Sequence, residues 1–170
     1  AAGVRAMRDE IKARVEAGQG AVPEERYRLL WCQTPPFYVD LTTYLEQEFG
    51  AVVAFNDPHK HIWWEPGFYD NWDDPLEIIA HEFITDPWNG QAERRVNTLV
   101  QNAIDYKCHG AIFFRSWGCR NSGAEGRIFQ DTLMERVGIP TLILDGDYID
   151  SDNYSDAETK VKIESFIMML

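Results

Sequence analysis

Basic residues are scarce in this sequence, whose 170 residues include 16 Lys and Arg against 28 Asp and Glu, a formal net charge of −12. Nucleic-acid affinity depends on clustered Lys and Arg that release counterions from phosphates, and no such cluster occurs. No apolar run approaches the roughly 18 residues that a membrane span needs. The sequence therefore predicts a cytoplasmic protein that has no membrane span and binds no nucleic acid.

Cysteine is also scarce, and the three positions Cys32, Cys108 and Cys119 show no C-x-x-C spacing. An odd number of cysteines without that spacing fits neither a disulfide framework nor a self-contained zinc site. The motifs G-x-G-x-x-G, G-x-x-x-x-G-K-S/T and G-x-S-x-G are missing too, so dinucleotide-binding, P-loop and serine-hydrolase functions lack their signatures. The cysteines are predicted to be free thiols or members of ligand sets that other polypeptide completes.

The sequence does contain an alternation of short apolar strands and helices. The predicted strands are 27–32, 51–55, 110–114 and 141–144, and the predicted helices are 4–15, 41–49, 74–83, 91–106, 122–137 and 155–170. Strands that are apolar throughout indicate a parallel sheet with helices on both faces. The predicted fold is a doubly wound α/β domain, flavodoxin-like, with a four-stranded sheet in the order 2-1-3-4.

The domain organisation follows from the same pattern. Residues 1–26 are predicted to form an N-terminal helix and linker, and residues 27–170 to form the α/β domain. Because the chain starts on Ala1 without an initiator Met, we expect it to be a processed or truncated piece of a longer protein.

Capping patterns predict where the later helices begin. Asp74-Pro75 marks one start, and Ser-x-x-Glu capping boxes at 122–125 and 155–158 mark two more. The inner stripe of the helix over 91–106 is predicted to consist of Val96, Leu99, Val100, Ala103 and Ile104.

The carboxyl edge of such a sheet gathers the strand-to-helix loops, and ligands bind there. Cys119 lies between the third strand and a helix N-terminus, where the helix dipole, Arg115 and Arg120 favour the metal-ligating thiolate. Cys32 ends the neighbouring first strand, so its sulfur can face the same edge, although a small buried hydrophobe is the commoner role. Cys108 precedes the third strand at the opposite edge and is predicted to be structural.

Other candidate residues keep more than one interpretation. His59 and His61 lie two residues apart without a third ligand, so exposed or otherwise satisfied side chains are the commoner outcome. The aromatic-rich segment 63–72 fits a stacking platform, a subunit interface or a local apolar core. Asp145 and Asp147 follow the fourth strand, either as a carboxylate pair or as turn caps.

A series of short stretches occurs in an order that is typical of one protein family. They are Y-R-L-L-W at 27–31, P-P at 35–36, G-A-V-V at 50–53, D-P-L at 74–76, H-G-A-I-F at 109–113, C-R at 119–120, G-I-P-T-L at 138–142, D-G-D-Y-I-D at 145–150 and E-S-F at 164–166. With these stretches, residues 27–170 resemble the C-terminal α/β domain of 2-hydroxyacyl-CoA dehydratase and benzoyl-CoA reductase subunits, also described as 2-hydroxyglutaryl-CoA dehydratase D-component.

The resemblance implies an enzyme complex that acts on an acyl-CoA thioester. Two related subunits form a heterodimer, and three cysteines between α/β domains hold a [4Fe–4S] cluster. An ATP-dependent activator, itself an iron–sulfur protein, supplies an electron. The implied reaction is dehydration of a 2-hydroxyacyl-CoA or reduction of benzoyl-CoA through a ketyl radical anion.

Only Cys119 matches a ligand position of that family, and the other two ligands are expected outside this chain. Relatives often have a small residue at Cys32, so the resemblance assigns it no ligand role. Phe114 and Trp117 stand where relatives often have a His and a polar or basic residue. Two alternatives stay open beside this interpretation: a non-catalytic electron-transfer or scaffold relative, and a flavodoxin-like module that binds a small ligand without metal.

Overall fold

The computed structural model describes residues 2–57, 74–89 and 91–170, and these contain one four-stranded parallel sheet in the order β2-β1-β3-β4. The elements are α1 (Ala2–Glu16), β1 (Tyr27–Cys32), α2 (Leu41–Phe49), β2 (Ala51–Asn56), α3 (Pro75–Thr85), a 3-10 turn (Pro87–Asn89), α4 (Ala92–Asp105), β3 (Gly110–Ser116), α5 (Arg120–Arg136), β4 (Thr141–Gly146) and α6 (Asp156–Ile167). The predicted α/β fold and strand order are confirmed.

Every strand pair is parallel, so all four carboxyl ends lie on one edge of the sheet, which we call the carboxyl edge. Leu29 lies opposite Gly110, which places β1 beside β3. Ala111 lies opposite Thr141 on the other side of β3. The loop that follows β3 therefore lies in the middle of the edge, between the loops after β1 and β4.

Side chains that alternate along each strand build two apolar layers. Leu30 and Cys32 point into the layer under α4 and α5, whereas Leu29 and Trp31 point into the layer under α2 and α6. The first layer also contains Phe55, Val96, Leu99, Val100, Ala103, Ala111, Phe113, Phe129 and Leu133. Both faces of the sheet are covered, as strands with apolar residues on both faces require.

Two sequence expectations about helices are wrong in detail. Ile104 is 51% exposed, because it lies beside the buried stripe of α4 that ends at Ala103. Ser122 does not cap α5, which begins at Arg120 with Cys119 as its N-cap residue. The Ser122 hydroxyl instead lies 3.1 Å from the Ser116 carbonyl oxygen and 3.0 Å from that of Cys119. The cap of α6 is confirmed, since the Ser155 side chain accepts a hydrogen bond from the backbone of Glu158.

Gly50 ends α2 in the left-handed region, with φ 61°, and its backbone is packed against the preceding linker. A Cβ at this position would overlap the carbonyl oxygen of Glu24, whereas a Cβ at Gly138, with φ 80°, would meet no atom within 4 Å. We expect Gly50→Ala to lower the free energy of unfolding by about 3 kcal/mol, because left-handed strain and a backbone clash add together. Gly138→Ala should lower it by only about 1 kcal/mol.

Urea denaturation of both glycine variants at neutral pH measures this difference. Equal losses for Gly50→Ala and Gly138→Ala would show that the clash with Glu24 is relieved without cost.

Candidate functional site

The loops at the carboxyl edge are hydrogen-bonded to one another. The backbone N–H of Trp117 donates to the Gly146 carbonyl oxygen at 3.0 Å, which joins the β3 and β4 loops. The N–H of Phe37, in the β1 loop, donates to the Tyr148 carbonyl oxygen at 2.8 Å. Three loops thus form one connected rim around the end of β3.

Cys119 lies on this rim at the N-cap position of α5, with extended backbone angles. The turn from Ser116 holds it there, because the Cys119 N–H donates to the Ser116 carbonyl oxygen at 3.2 Å. Its side chain is partly exposed and lies beside the first turn of the helix. The backbone N–H of Ser122, followed by its hydroxyl and the N–H of Asn121, lowers the pKa of the Cys119 thiol, while burial and Glu125 oppose the shift.

An open pocket of about 500 Å³ lies in front of the Cys119 sulfur. Its lining comprises Arg115, Ser116, Trp117, Cys119, Arg120, Gly123 and Asp145. Arg115 is turned toward Asp145, with which it forms a two-point ion pair that includes a 2.9 Å contact from Nη2 to Oδ2. Backbone N–H groups, rather than the two arginines expected from the sequence, therefore account for the lowered pKa of Cys119.

Cys32 and Cys108 lie away from the pocket. Cys32 is fully buried in the layer under α4 and α5, which confirms the commoner role of a small buried hydrophobe over the alternative in which its sulfur faces the carboxyl edge. Burial raises the pKa of the Cys32 thiol well above its usual value. Burial also raises the pKa of Cys108, at the opposite edge, to about 11. The predicted structural role of Cys108 is confirmed. Alternation could not assign the face of Cys32, because apolar residues occupy both faces of β1.

The acidic residues at the carboxyl end of β4 serve local structure. Asp147 accepts hydrogen bonds from the N–H groups of Ile149 at 2.8 Å and Asp150 at 3.0 Å, and these bonds lower the pKa of its carboxyl group. Asp145 is bound to Arg115. The turn-cap interpretation of Asp147 is confirmed, and the two carboxylates have separate partners.

Within residues 2–57, 74–89 and 91–170, no three His, Cys, Asp or Glu side chains come together as a metal site. His59, His61 and the aromatic segment 63–72 lie outside the described residues, so their interpretations stay predictions. His109 takes a structural role, because its Nδ1 accepts a 2.9 Å hydrogen bond from the backbone of Arg28.

A buried group of charges beneath the same edge was not predicted from the sequence. We call it the Arg95 cluster, and its members are Gln33, Asp57, Trp88, Arg95 and Glu125. The Arg95 side chain is 2% exposed, and its guanidinium lies 2.5 Å from Asp57 Oδ2 and 2.5 Å from Glu125 Oε2. It also stacks on the Trp88 ring, 3.6 Å from the centroid. Burial raises the pKa of Glu125, against the attraction of Arg95.

One sequence signal did point toward this cluster. Asp57 follows β2 directly, at the edge where functional side chains gather, and Arg95 adjoins Val96 on the inner stripe of α4. A charged residue in such a stripe is buried only when it is paired, so the two observations together call for partners.

Alkylation offers a direct test of the Cys119 environment. We expect iodoacetamide to modify Cys119 at least tenfold faster than Cys32 or Cys108 at pH 7.5, because only its thiolate is exposed and favoured. The thiolate fraction rises with pH, so a lowered pKa should bring the half-maximal rate below pH 9. Peptide mass spectrometry of iron-free protein between pH 6 and pH 10 measures both values, and a midpoint at or above pH 9 would contradict the assignment.

Comparison with known proteins places these observations in context. The family model described as 2-hydroxyglutaryl-CoA dehydratase, D-component, matches residues 1–170. One of the subunits of benzoyl-CoA reductase from Thauera aromatica is 25% identical to the chain over 173 residues, covering 96% of the chain and 40% of the relative. The chain thus spans less than half the length of that relative. No helix in the described part of the chain is both long and apolar enough to cross a membrane.

Proposed function

The chain belongs to the 2-hydroxyglutaryl-CoA dehydratase D-component family, and on that premise we propose that it holds one thiolate ligand of an iron–sulfur cluster in a complex that dehydrates or reduces a CoA thioester. Cys119 is the proposed ligand. The observation that carries the proposal is its thiol at the N-terminus of α5, with a lowered pKa and an open pocket in front of it.

The donor set of the described residues fits one ligand position of such a cluster. A second or third cysteine does not approach Cys119 anywhere in those residues, since Cys32 and Cys108 are buried elsewhere. The remaining ligands of the proposed [4Fe–4S] cluster therefore come from polypeptide outside them. When bound, the cluster would supply single electrons at low potential to the thioester.

The side chains around Cys119 suit an anionic centre. The N–H groups of Asn121 and Ser122 hold negative charge on the sulfur, and such donors raise the reduction potential of a cluster. Arg120 lines the same pocket and has no ion-pair partner in the described part of the chain, so its charge is available to an anionic ligand. Trp117, which is 59% exposed, adds an apolar wall that limits the access of water.

The proposed partners follow from family membership. They are an acyl-CoA thioester as substrate, a related second subunit and an ATP-dependent activator that is itself an iron–sulfur protein. The relative is named as one subunit of a benzoyl-CoA reductase, which supports a multi-subunit assembly. The proposal has two forms, which differ in the substrate. An aromatic thioester corresponds to the reductase form, and a 2-hydroxyacyl thioester corresponds to the dehydratase form.

Anaerobic purification of the complete assembly, with reconstitution by iron and sulfide, tests the proposal. We expect a broad charge-transfer absorption and binding of benzoyl-CoA or of a 2-hydroxyacyl-CoA. Iron without binding of either thioester would indicate an electron-transfer or scaffold protein instead. Failure to bind iron would favour the remaining alternative, a flavodoxin-like module that binds a small ligand without metal.

A further inference from the structure

The Arg95 cluster places one guanidinium and two carboxylates beneath the carboxyl edge, in surroundings that are mostly apolar. The Arg95 and Asp57 side chains are 2% and 5% exposed, and that of Glu125 is 15% exposed. Buried ion pairs often add no stability over apolar residues of similar volume, because desolvation offsets their attraction. The cluster therefore points to a role other than bulk stability.

The cluster connects elements that end at the site. Asp57 follows β2, Arg95 lies in the first turn of α4, and Glu125 lies in the second turn of α5. Glu125 is six residues beyond Cys119, on the helix that has Cys119 as its N-cap residue. The guanidinium thus joins the helix that carries the thiolate to the end of a strand.

Gln33 extends the same connection to the β1 loop. It is buried and adopts a left-handed conformation, with φ 75°, which residues other than glycine rarely adopt. With the carboxamide oxygen turned toward the guanidinium, it accepts from Arg95 Nη1 at 3.1 Å and Nη2 at 3.2 Å. Strained backbone of this kind persists where surrounding contacts fix it, and it gathers at functional sites.

We propose that Arg95 is a positioning residue for Cys119, which fixes α5 against the ends of β1 and β2 so that the helix N-terminus keeps its place beside the sulfur. The proposal rests on the proposed function for the ligand role of Cys119. The planar guanidinium suits this task, because it presents donors to Asp57 on one side and to Glu125 on the other. Trp88 on one face keeps it from turning.

Arg95→Lys in the complete assembly tests the inference, because lysine keeps the positive charge but lacks the planar guanidinium that donates to two carboxylates at once. We expect the amides of residues 119–125 to exchange with deuterium at least tenfold faster, while the amides of β3 and α6 keep their wild-type rates. We also expect the absorption and electron paramagnetic resonance spectra of the reconstituted iron centre to shift. Arg127→Lys is the matched control, since Arg127 lies on α5 in an exposed pair with Asp131 and should change neither measurement.

Glu125→Gln is a second variant that keeps the side-chain volume and removes only the ion pair on α5. It should reproduce the local increase in exchange. Wild-type exchange at residues 119–125 in a folded Arg95→Lys protein with an unchanged spectrum would overturn the inference. So would a uniform increase across the sheet in both variants, since the cluster would then serve folding alone. If wild-type protein binds no iron, the proposed function fails, and the exchange measurement still decides whether Arg95 positions Cys119.

Discussion

Replacing Cys119 with alanine is expected to lower the iron content and the thioester-dependent activity of the assembled complex by about 100-fold or more. Loss of groups that merely orient metal ligands already costs about 10- to 100-fold in metal affinity or activity, so loss of a ligand should cost at least as much. Iron analysis and the charge-transfer absorption of anaerobically purified protein measure the effect. The fold should be retained, because the partly exposed Cys119 side chain is not part of either apolar layer.

Cys32→Ala and Cys108→Ala are the matched controls for this prediction. Both thiols are buried, so each change should lower the free energy of unfolding by about 1 kcal/mol through lost packing and leave the iron content unchanged. Loss of iron in the Cys32 variant together with its retention in the Cys119 variant would contradict the assignment and give the ligand role to Cys32.

Arg95→Met is expected to lower the free energy of unfolding by about 3–5 kcal/mol at neutral pH. The change removes the cation that contacts both buried carboxylates, Asp57 and Glu125, and loss of one partner of a buried ion pair is strongly destabilising. Urea denaturation measures the loss. Arg127→Met removes an exposed pair on α5 and should stay within about 0.5 kcal/mol of wild type.

The destabilisation by Arg95→Met should depend on pH in a defined direction. Burial raises the folded-state pKa of Glu125 above its ordinary value, so its contribution to stability is fully present below that ordinary value and is lost as pH rises through the folded-state pKa. Without Arg95 the attraction that opposes this shift is gone, and the pKa of Glu125 rises further. The difference in the free energy of unfolding between Arg95→Met and wild type should therefore become smaller as the pH falls from 8 to 5. A constant difference across that range would contradict the assignment of Glu125 as an uncompensated charge.

The sheet could be predicted from the sequence because local patterns determine it. Four short apolar strands between helices indicate a covered parallel sheet, and the structure confirms their order. Cys119 could be placed at the carboxyl edge for the same reason, since it follows β3 and precedes α5. The Ser-x-x-Glu patterns at Ser122 and Ser155 are alike in the sequence, but only Ser155 caps a helix in the structure.

The rest of the site depends on contacts between distant parts of the chain. Arg95 reaches Asp57 over 38 residues and Glu125 over 30. The sequence indicates that Arg95 needs partners, but no local pattern identifies them. The sequence could not predict on which face of β1 Cys32 lies either, because apolar residues occupy both faces of that strand. The pairing register of β1 against β3 determines which face carries Cys32, and that register is defined only in the assembled sheet.

The contrast between one accessible sulfur and two buried ones has a consequence for handling the protein in air. Oxidants attack thiolates that solvent can reach, carrying them through sulfenic acid to sulfinic acid, which rarely reverts. Cys119 is the thiol in that position, whereas Cys32 and Cys108 are shielded by the core. Aerobic preparations should accordingly retain a normal melting temperature and circular dichroism spectrum while the Cys119 sulfur is oxidised and unable to bind iron. A folded sample of this protein is therefore not evidence that its proposed ligand is intact.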